Sequence, residues 1–245
     1  VVLPADAGQI GPLLEICAEA GIAVVPFGGG TSVVGGIAPI RGDHDRVISL
    51  DLVNLRGCDI DPVSRTARLG AGLRGPEAEK LLGAEGFTLG HFPQSFEYAT
   101  IGGFAATRSA GQSSSGYGRF DSMVSSVRLI APAAELSTLD TPHTAIGPTL
   151  REMVIGSEGI FGVIPAVDVR IRPAPAMRRY EAWIAEDFRS GNEIMRDLAQ
   201  AGLLPTIARV SDDAETRVSL ASAVPSGVAG SAFKGYLGLR GRSGG

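Results

Sequence analysis

Residues 26–36 read Pro26-Phe27-Gly28-Gly29-Gly30-Thr31-Ser32-Val33-Val34-Gly35-Gly36, directly after an apolar run, Ile22-Ala23-Val24-Val25. This is a short strand emptying into a glycine-rich loop. Glycine reaches positive φ at no steric cost and lets a ligand approach the backbone closely. Successive free N–H groups in such a loop form a concave nest for anions, phosphate above all. The loop therefore predicts a nucleotide-type cofactor held by its diphosphate. A plain turn would not need a glycine triplet, Thr-Ser and a second glycine pair. Nor is this either of the common phosphate loops. It has no Gly-Lys-Ser/Thr, and Val33 stands where the last glycine of G-x-G-x-x-G belongs, with no helical pattern following.

Working outward, Val1-Val2-Leu3 reads as a short strand and Asp6 as an N-cap. Ile10, Leu13, Leu14 and Cys17 then follow at i, i+3, i+4, i+7, and Gly21 stands where a C′ glycine ends a helix. With the strand at 22–25 these residues form a β-α-β unit. Its loop lies at the carboxyl end of a strand, where open α/β sheets bind ligands. Strands are expected at 47–50 and 66–69 with Asp59-Ile60-Asp61-Pro62 as the turn between them, and a helix at 76–82 ended by Gly83 or Gly86. Residues 93–118 have little periodicity, but Phe92, Phe96, Tyr98, Phe104 and Tyr117 argue for an ordered, functional stretch. A strand at 124–131, a helical turn at 150–155 and a strand at 162–172 follow, the last alternating Val163, Val167, Val169 and Ile171. Pro173 and Pro175 mark a boundary. Beyond it come a strand at 180–185, a helix at 190–201 closed by Gly202, and a strand at 206–210. The fold class is α+β, with a domain at 1–174 and the incomplete start of a second at 175–245.

The bulk numbers exclude several classes. A net charge of −4 argues against a nucleic-acid partner. No apolar run approaches the ~20 residues of a membrane-spanning helix. Cys17 and Cys58 make a disulfide framework improbable and fit a reducing, intracellular (cytoplasmic) compartment. The 34 glycines cluster in loops without a period, which removes collagen-like readings. The start at Val1 and the tail at 240–245 read as the ends of a fragment, the tail as a frayed one.

Other candidates are individually weak. Gln94, Ser95 and Thr100 would suit a polar cofactor. Arg108 is either a cofactor cation or a surface charge. Gly156-Ser157-Glu158-Gly159 fails as a nucleophile elbow, which needs G-x-S-x-G. His44, His91 and His143 lie in no metal spacing and read as surface or loop, so no metal is expected. Glu77, Glu79 and Lys80 read as a solvated helix face, and Arg170 and Arg172 as solvated strand residues.

In order along the chain, the 26–36 loop, Thr100-Ile101-Gly102-Gly103, Tyr117-Gly118 and Gly156-Ser157-Glu158-Gly159-Ile160-Phe161-Gly162 resemble the FAD-binding PCMH-type domain of the vanillyl-alcohol oxidase superfamily. Residues 90–124 are most similar to the alkyldihydroxyacetonephosphate synthase branch, through Ser95-Phe96-Glu97-Tyr98-Ala99-Thr100 and Thr107-Arg108-Ser109-Ala110-Gly111. The 2-hydroxy-acid dehydrogenase branch carries an Asn-rich pattern there that this chain lacks.

The resemblance implies a two-lobed fold with FAD extended between the lobes, followed by a cap domain. Pro26, Phe27, Gly28, Gly29, Gly30, Thr31 and Ser32 would wrap the diphosphate. Gln94 to Thr100 would line the diphosphate and ribityl region. Thr107, Arg108, Ser109 and Ala110 would approach the isoalloxazine, and residues 156–162 the adenosine. Without a loop histidine, noncovalent FAD is expected. The implied reaction exchanges the acyl group of acyl-dihydroxyacetone phosphate for a fatty alcohol through a flavin N5 adduct, with the catalytic residues beyond Gly245. Gln94, and Thr149 after Gly147-Pro148, stand where Asp is common. The alternatives are a FAD-linked oxidase or dehydrogenase of a hydroxy acid or alcohol, and a noncatalytic FAD-binding fragment. The substrate is expected to be small or lipid-like, with room for a homodimer and for peripheral membrane contact.

Overall fold

The computed structural model describes residues 1–141 and 145–223. His143 and the 240–245 tail lie outside the described residues. Val2 makes one parallel bridge to Leu50 rather than a three-residue strand. Asp6 accepts from the Gly8 amide at 2.8 Å and caps a 3₁₀ turn, Ala7–Gln9, that runs into α1 (Ile10–Glu19). The apolar stripe of α1 buries Ile10, Leu14 and Cys17. Gly21, at φ +64°, then turns the chain into β1 (Ile22–Phe27). β1 pairs in parallel with β2 (Arg46–Asp51), Phe27 opposite Asp51. Pro26 fits because β1 is paired on one side only, so a missing N–H costs no ladder bond. Ile10, Leu14, Leu50, Leu52 and Leu55 form the first small core.

The second core is larger. It is built from β3 (Cys58–Asp61), β4 (Thr66–Gly70), α2 (Gly75–Ala84), β5 (Phe87–Thr88), α3 (Ile101–Ala106), α4 (Ser114–Tyr117), α5 (Phe120–Met123), β6 (Val124–Ile130), β7 (Glu135–Ser137), α6 (Leu150–Val154), β8 (Ala166–Arg170) and β9 (Arg172–Pro173). The main sheet is antiparallel in the order β3-β4-β8-β6-β7, and β5 pairs with β9. Leu69, Leu82, Ile101, Phe104, Phe120, Val127 and Val169 are fully buried within this core. Each such side chain contributes roughly 2 kcal/mol through burial.

Two local expectations are corrected. Residues 59–61 are strand, and the turn is 62–65, beginning at Pro62. There Asp61 Oδ1 accepts the Val63 and Ser64 amides at 2.9 and 3.0 Å, and Arg65 takes φ +54°. Those bonds, the Ser64 hydroxyl first, hold the Asp61 carboxyl below its ordinary pKa. Glu79 is half-buried rather than solvated. It accepts from Thr88 Oγ1 at 2.7 Å and from the Leu89 and Gly90 amides at 3.1 and 2.9 Å, tying α2 to the strand after it. Arg170 and Arg172 are exposed, as read from the sequence, and each has a partner. Arg170 donates to the Ser122 carbonyl, and Arg172 lies 5.4 Å from the Tyr117 ring centroid.

The described chain divides into two compact units, one of Val1–Arg178 with Pro205–Ile207, the other of Arg179–Leu204 with 208–223. The second holds α7 (Phe188–Gln200), capped by Asp187 Oδ1 on the Ser190 amide at 2.7 Å, and α8 (Asp213–Ala223). No strand forms at 180–185 or 206–210. β propensity there meets no adjacent strand among the described residues, and Trp183 and Ile184 stay exposed. Among the described residues no helix is long and apolar enough to cross a membrane.

Candidate functional site

The segments singled out in the sequence converge on one cleft, with a volume of about 410 Å³. Beyond β1 the chain has no side chain at Gly28 and Gly29, and the packing shows why. A Cβ on Gly28 would stand 2.3 Å from Thr100 Oγ1, and one on Gly29 would stand 2.1 Å from the Tyr98 carbonyl oxygen. The first glycine loop is thus laid directly against residues 98–100. Gly30, at φ +70°, turns the loop away. Gly159 brings the third segment in, its Cβ position 3.4 Å from Pro26 Cγ. Glu158 takes φ +55° and sets its carboxylate beside Gly36.

Of the sequence-predicted residues, Pro26, Phe27, Gly28, Gly29, Gly30, Thr31, Ser32, Ser95, Ala99, Thr100, Gly102, Gly103, Thr107, Ser109, Glu158, Gly159 and Gly162 line the cleft. Gln94, Phe96, Glu97, Tyr98, Arg108, Ala110, Gly156, Ser157, Ile160 and Phe161 do not. Phe96 covers Gly75 at the start of α2, whose Cβ position is 2.5 Å from its ring. Gln94, Glu97 and Tyr98 face solvent. The sequence reading missed the apolar wall of Ile37, Leu52, Phe104, Ala106 and Ile164. The only signal for it was ordinary core periodicity.

The loop is suited to an anion. Among the described residues, no group accepts from the amides of residues 29–33. Ser32 Oγ is buried without a partner. The start of α3 is different. Thr100 Oγ1 takes the Gly103 amide at 3.3 Å, and the Ile101 and Gly102 amides donate to Leu73 and Ala71. The free donors therefore lie on the loop and not at the start of the helix. Among the described residues Lys and Arg are absent from the lining, and Glu158 is its one charged side chain.

Arg108 is a structural cation. At φ +49° it turns away from the cleft and donates to the carbonyls of Ile155 at 2.9 Å and Glu152 at 2.7 Å. It also pairs with the Asp121 and Glu152 carboxylates at 3.2 and 3.0 Å. His91, read as surface or loop, is a loop residue buried behind the cleft, with Nε2 2.9 Å from Ser109 Oγ. Burial pushes its pKa down to about 4. His44 is exposed.

The profile of the family described as "FAD binding domain" matches residues 1–140. The alkyldihydroxyacetonephosphate synthase of Trypanosoma brucei brucei is 34% identical over 95% of this chain and 38% of its own length. An uncharacterized FAD-linked oxidoreductase, YgcU, of Escherichia coli (strain K12) is 31% identical over 83% of this chain and 42% of its own. A solved alkyldihydroxyacetonephosphate synthase superposes with a TM-score of 0.85 at 30% identity, covering 97% of this chain and 44% of that one. The chain thus spans less than half the length of each of these relatives.

Proposed function

The chain belongs to the FAD-binding domain family, and from that premise we propose that it is the cofactor-holding part of an alkyldihydroxyacetonephosphate synthase-type flavoenzyme. The observation that carries this is the unpartnered run of amides at 29–33, with the orphaned Ser32 hydroxyl beside it. A diphosphate satisfies both at once. Thr100, Thr107, Ser109 and Ser95 offer donors and acceptors elsewhere along the cleft, while Phe104, Leu52 and Ile164 keep water from the buried side. Among the described residues none that lines the cleft is His, Cys or Tyr, which supports noncovalent binding. Bound FAD supplies electrophilic and nucleophilic ring chemistry that no side chain can. The protein's share is position and electrostatics. The reaction we assign to the whole enzyme is exchange of the acyl group of acyl-dihydroxyacetone phosphate for a fatty alcohol. Residues 1–174 serve the cofactor, and 175–245 begin the substrate domain.

Titration of purified protein with FAD, followed by flavin fluorescence, is expected to give one saturable site. Absence of binding removes the proposal. In the whole enzyme, alcohol-for-acyl exchange without an electron acceptor is the expected activity. Anaerobic bleaching of the flavin by a hydroxy acid would transfer the assignment to a dehydrogenase.

A further inference from the structure

His91 is 1% exposed and lies between Phe104 and Phe120, with ring centroids 4.7 and 5.3 Å away. Its Nε2 meets Ser109 Oγ at 2.9 Å, and its Nδ1 has no partner. Ser109 lines the cleft. A neutral imidazole carries one N–H and one lone pair. A buried N–H left without an acceptor is the rarer of the two failures, so the proton belongs on Nε2, where Ser109 Oγ can accept it. A charged ring would need an acceptor at Nδ1 as well, and aromatic surroundings supply none; burial accordingly keeps the ring neutral. With its oxygen already accepting from His91, the Ser109 hydroxyl hydrogen is left to donate, and the cleft is its open side.

We propose that His91 is a positioning residue that fixes the Ser109 hydroxyl as a hydrogen-bond donor into the cleft, toward an acceptor atom of the bound cofactor. This rests on the assignment of FAD to the cleft. It gives a role to a buried polar side chain that the loop motifs do not explain. A purely structural histidine would fill the space between the two phenylalanines and leave Ser109 free to rotate.

The test is a double-mutant cycle read by FAD affinity and by the absorption spectrum of the bound flavin. Ser109→Ala and His91→Leu are each expected to weaken FAD binding by roughly fivefold to tenfold, the loss of one hydrogen bond. The double variant should bind no more weakly than either single one, because both remove the same interaction. His91→Gln, whose amide offers an N–H toward Ser109, should stay within about twofold of wild type. Additive losses, or a His91→Leu protein with unchanged affinity and spectrum, overturn the proposal. If His91→Leu does not fold, His91→Gln decides: affinity near wild type supports the role, and a loss equal to that of Ser109→Ala overturns it. A wild-type protein that binds no FAD overturns instead the cofactor assignment beneath it.

Discussion

The backbone of Gly29 lies so close to Tyr98 that a Cβ on the glycine would stand 2.1 Å from the Tyr98 carbonyl oxygen. The obstacle is main chain, which cannot rotate aside. Gly29→Ala must therefore push the two segments apart. The expected cost is about 1–3 kcal/mol of stability by urea denaturation, the usual range for overpacking, with FAD affinity falling more than about tenfold as the loop amides lose alignment. Gly57→Ala is the control, since nothing lies within 4 Å of its Cβ position. Equal behaviour of the two variants would contradict this account.

His91 makes stability depend on pH. Its pKa is about 4 when folded, against 6.5 for an unperturbed histidine. Between those values the unfolded chain binds more protons, so stability falls as pH drops from 6.5 toward 4. The fall attributable to this one group is about 3 kcal/mol. Urea denaturation across that window should show it, and His91→Gln should flatten the slope. An unchanged slope in the variant would place the titration elsewhere.

Among the described residues the cleft lining contains no Lys or Arg, so on the proposed reading oriented amide dipoles rather than counter-charges would hold the anion. FAD affinity is therefore expected to change by less than about threefold between low salt and 0.5 M salt, since screening acts chiefly on exposed charges. A tenfold loss would reveal a cation at the site.

Arg108→Ala separates structure from cofactor contact. It removes charged hydrogen bonds to the Ile155 and Glu152 carbonyls, for an expected loss of about 2 kcal/mol. FAD affinity measured on the folded fraction should move by less than about threefold. Full stability with collapsed affinity would return Arg108 to the cofactor.

Periodicity and glycine placement were enough to read α1, β1, β2, β4 and the loop after β1. They were enough because each rests on local chemistry: a helical stripe closed by Gly21, an apolar run closed by glycines. Ser95, Thr100 and Ser109 were found as parts of motifs. What escaped was set by partners distant in the chain. Arg108 looks like any cation until the Ile155 and Glu152 carbonyls arrive beside it. His91 reads as a loop residue until Phe104 and Phe120 enclose it. Asp59-Ile60-Asp61-Pro62 has turn composition, yet β4 recruits it as a strand, and Pro62 only ends the ladder. The 180–185 and 206–210 runs show the converse: favourable composition gives no strand where no neighbour is paired to it.

The contact of Gly28 and Gly29 with residues 98–100 also limits how the site can be moved. One wall is contributed by the loop after β1 and the other by a segment far along the chain, with no side chains between them to act as an adaptor. A peptide cut out around residues 26–37 would carry the motif without its counterpart and should have no affinity worth measuring. The smallest portable unit runs from Val1 through Pro173, because Ile164 lines the cleft and β8 is the central strand of the main sheet, so transplanting the site means transplanting the lobes.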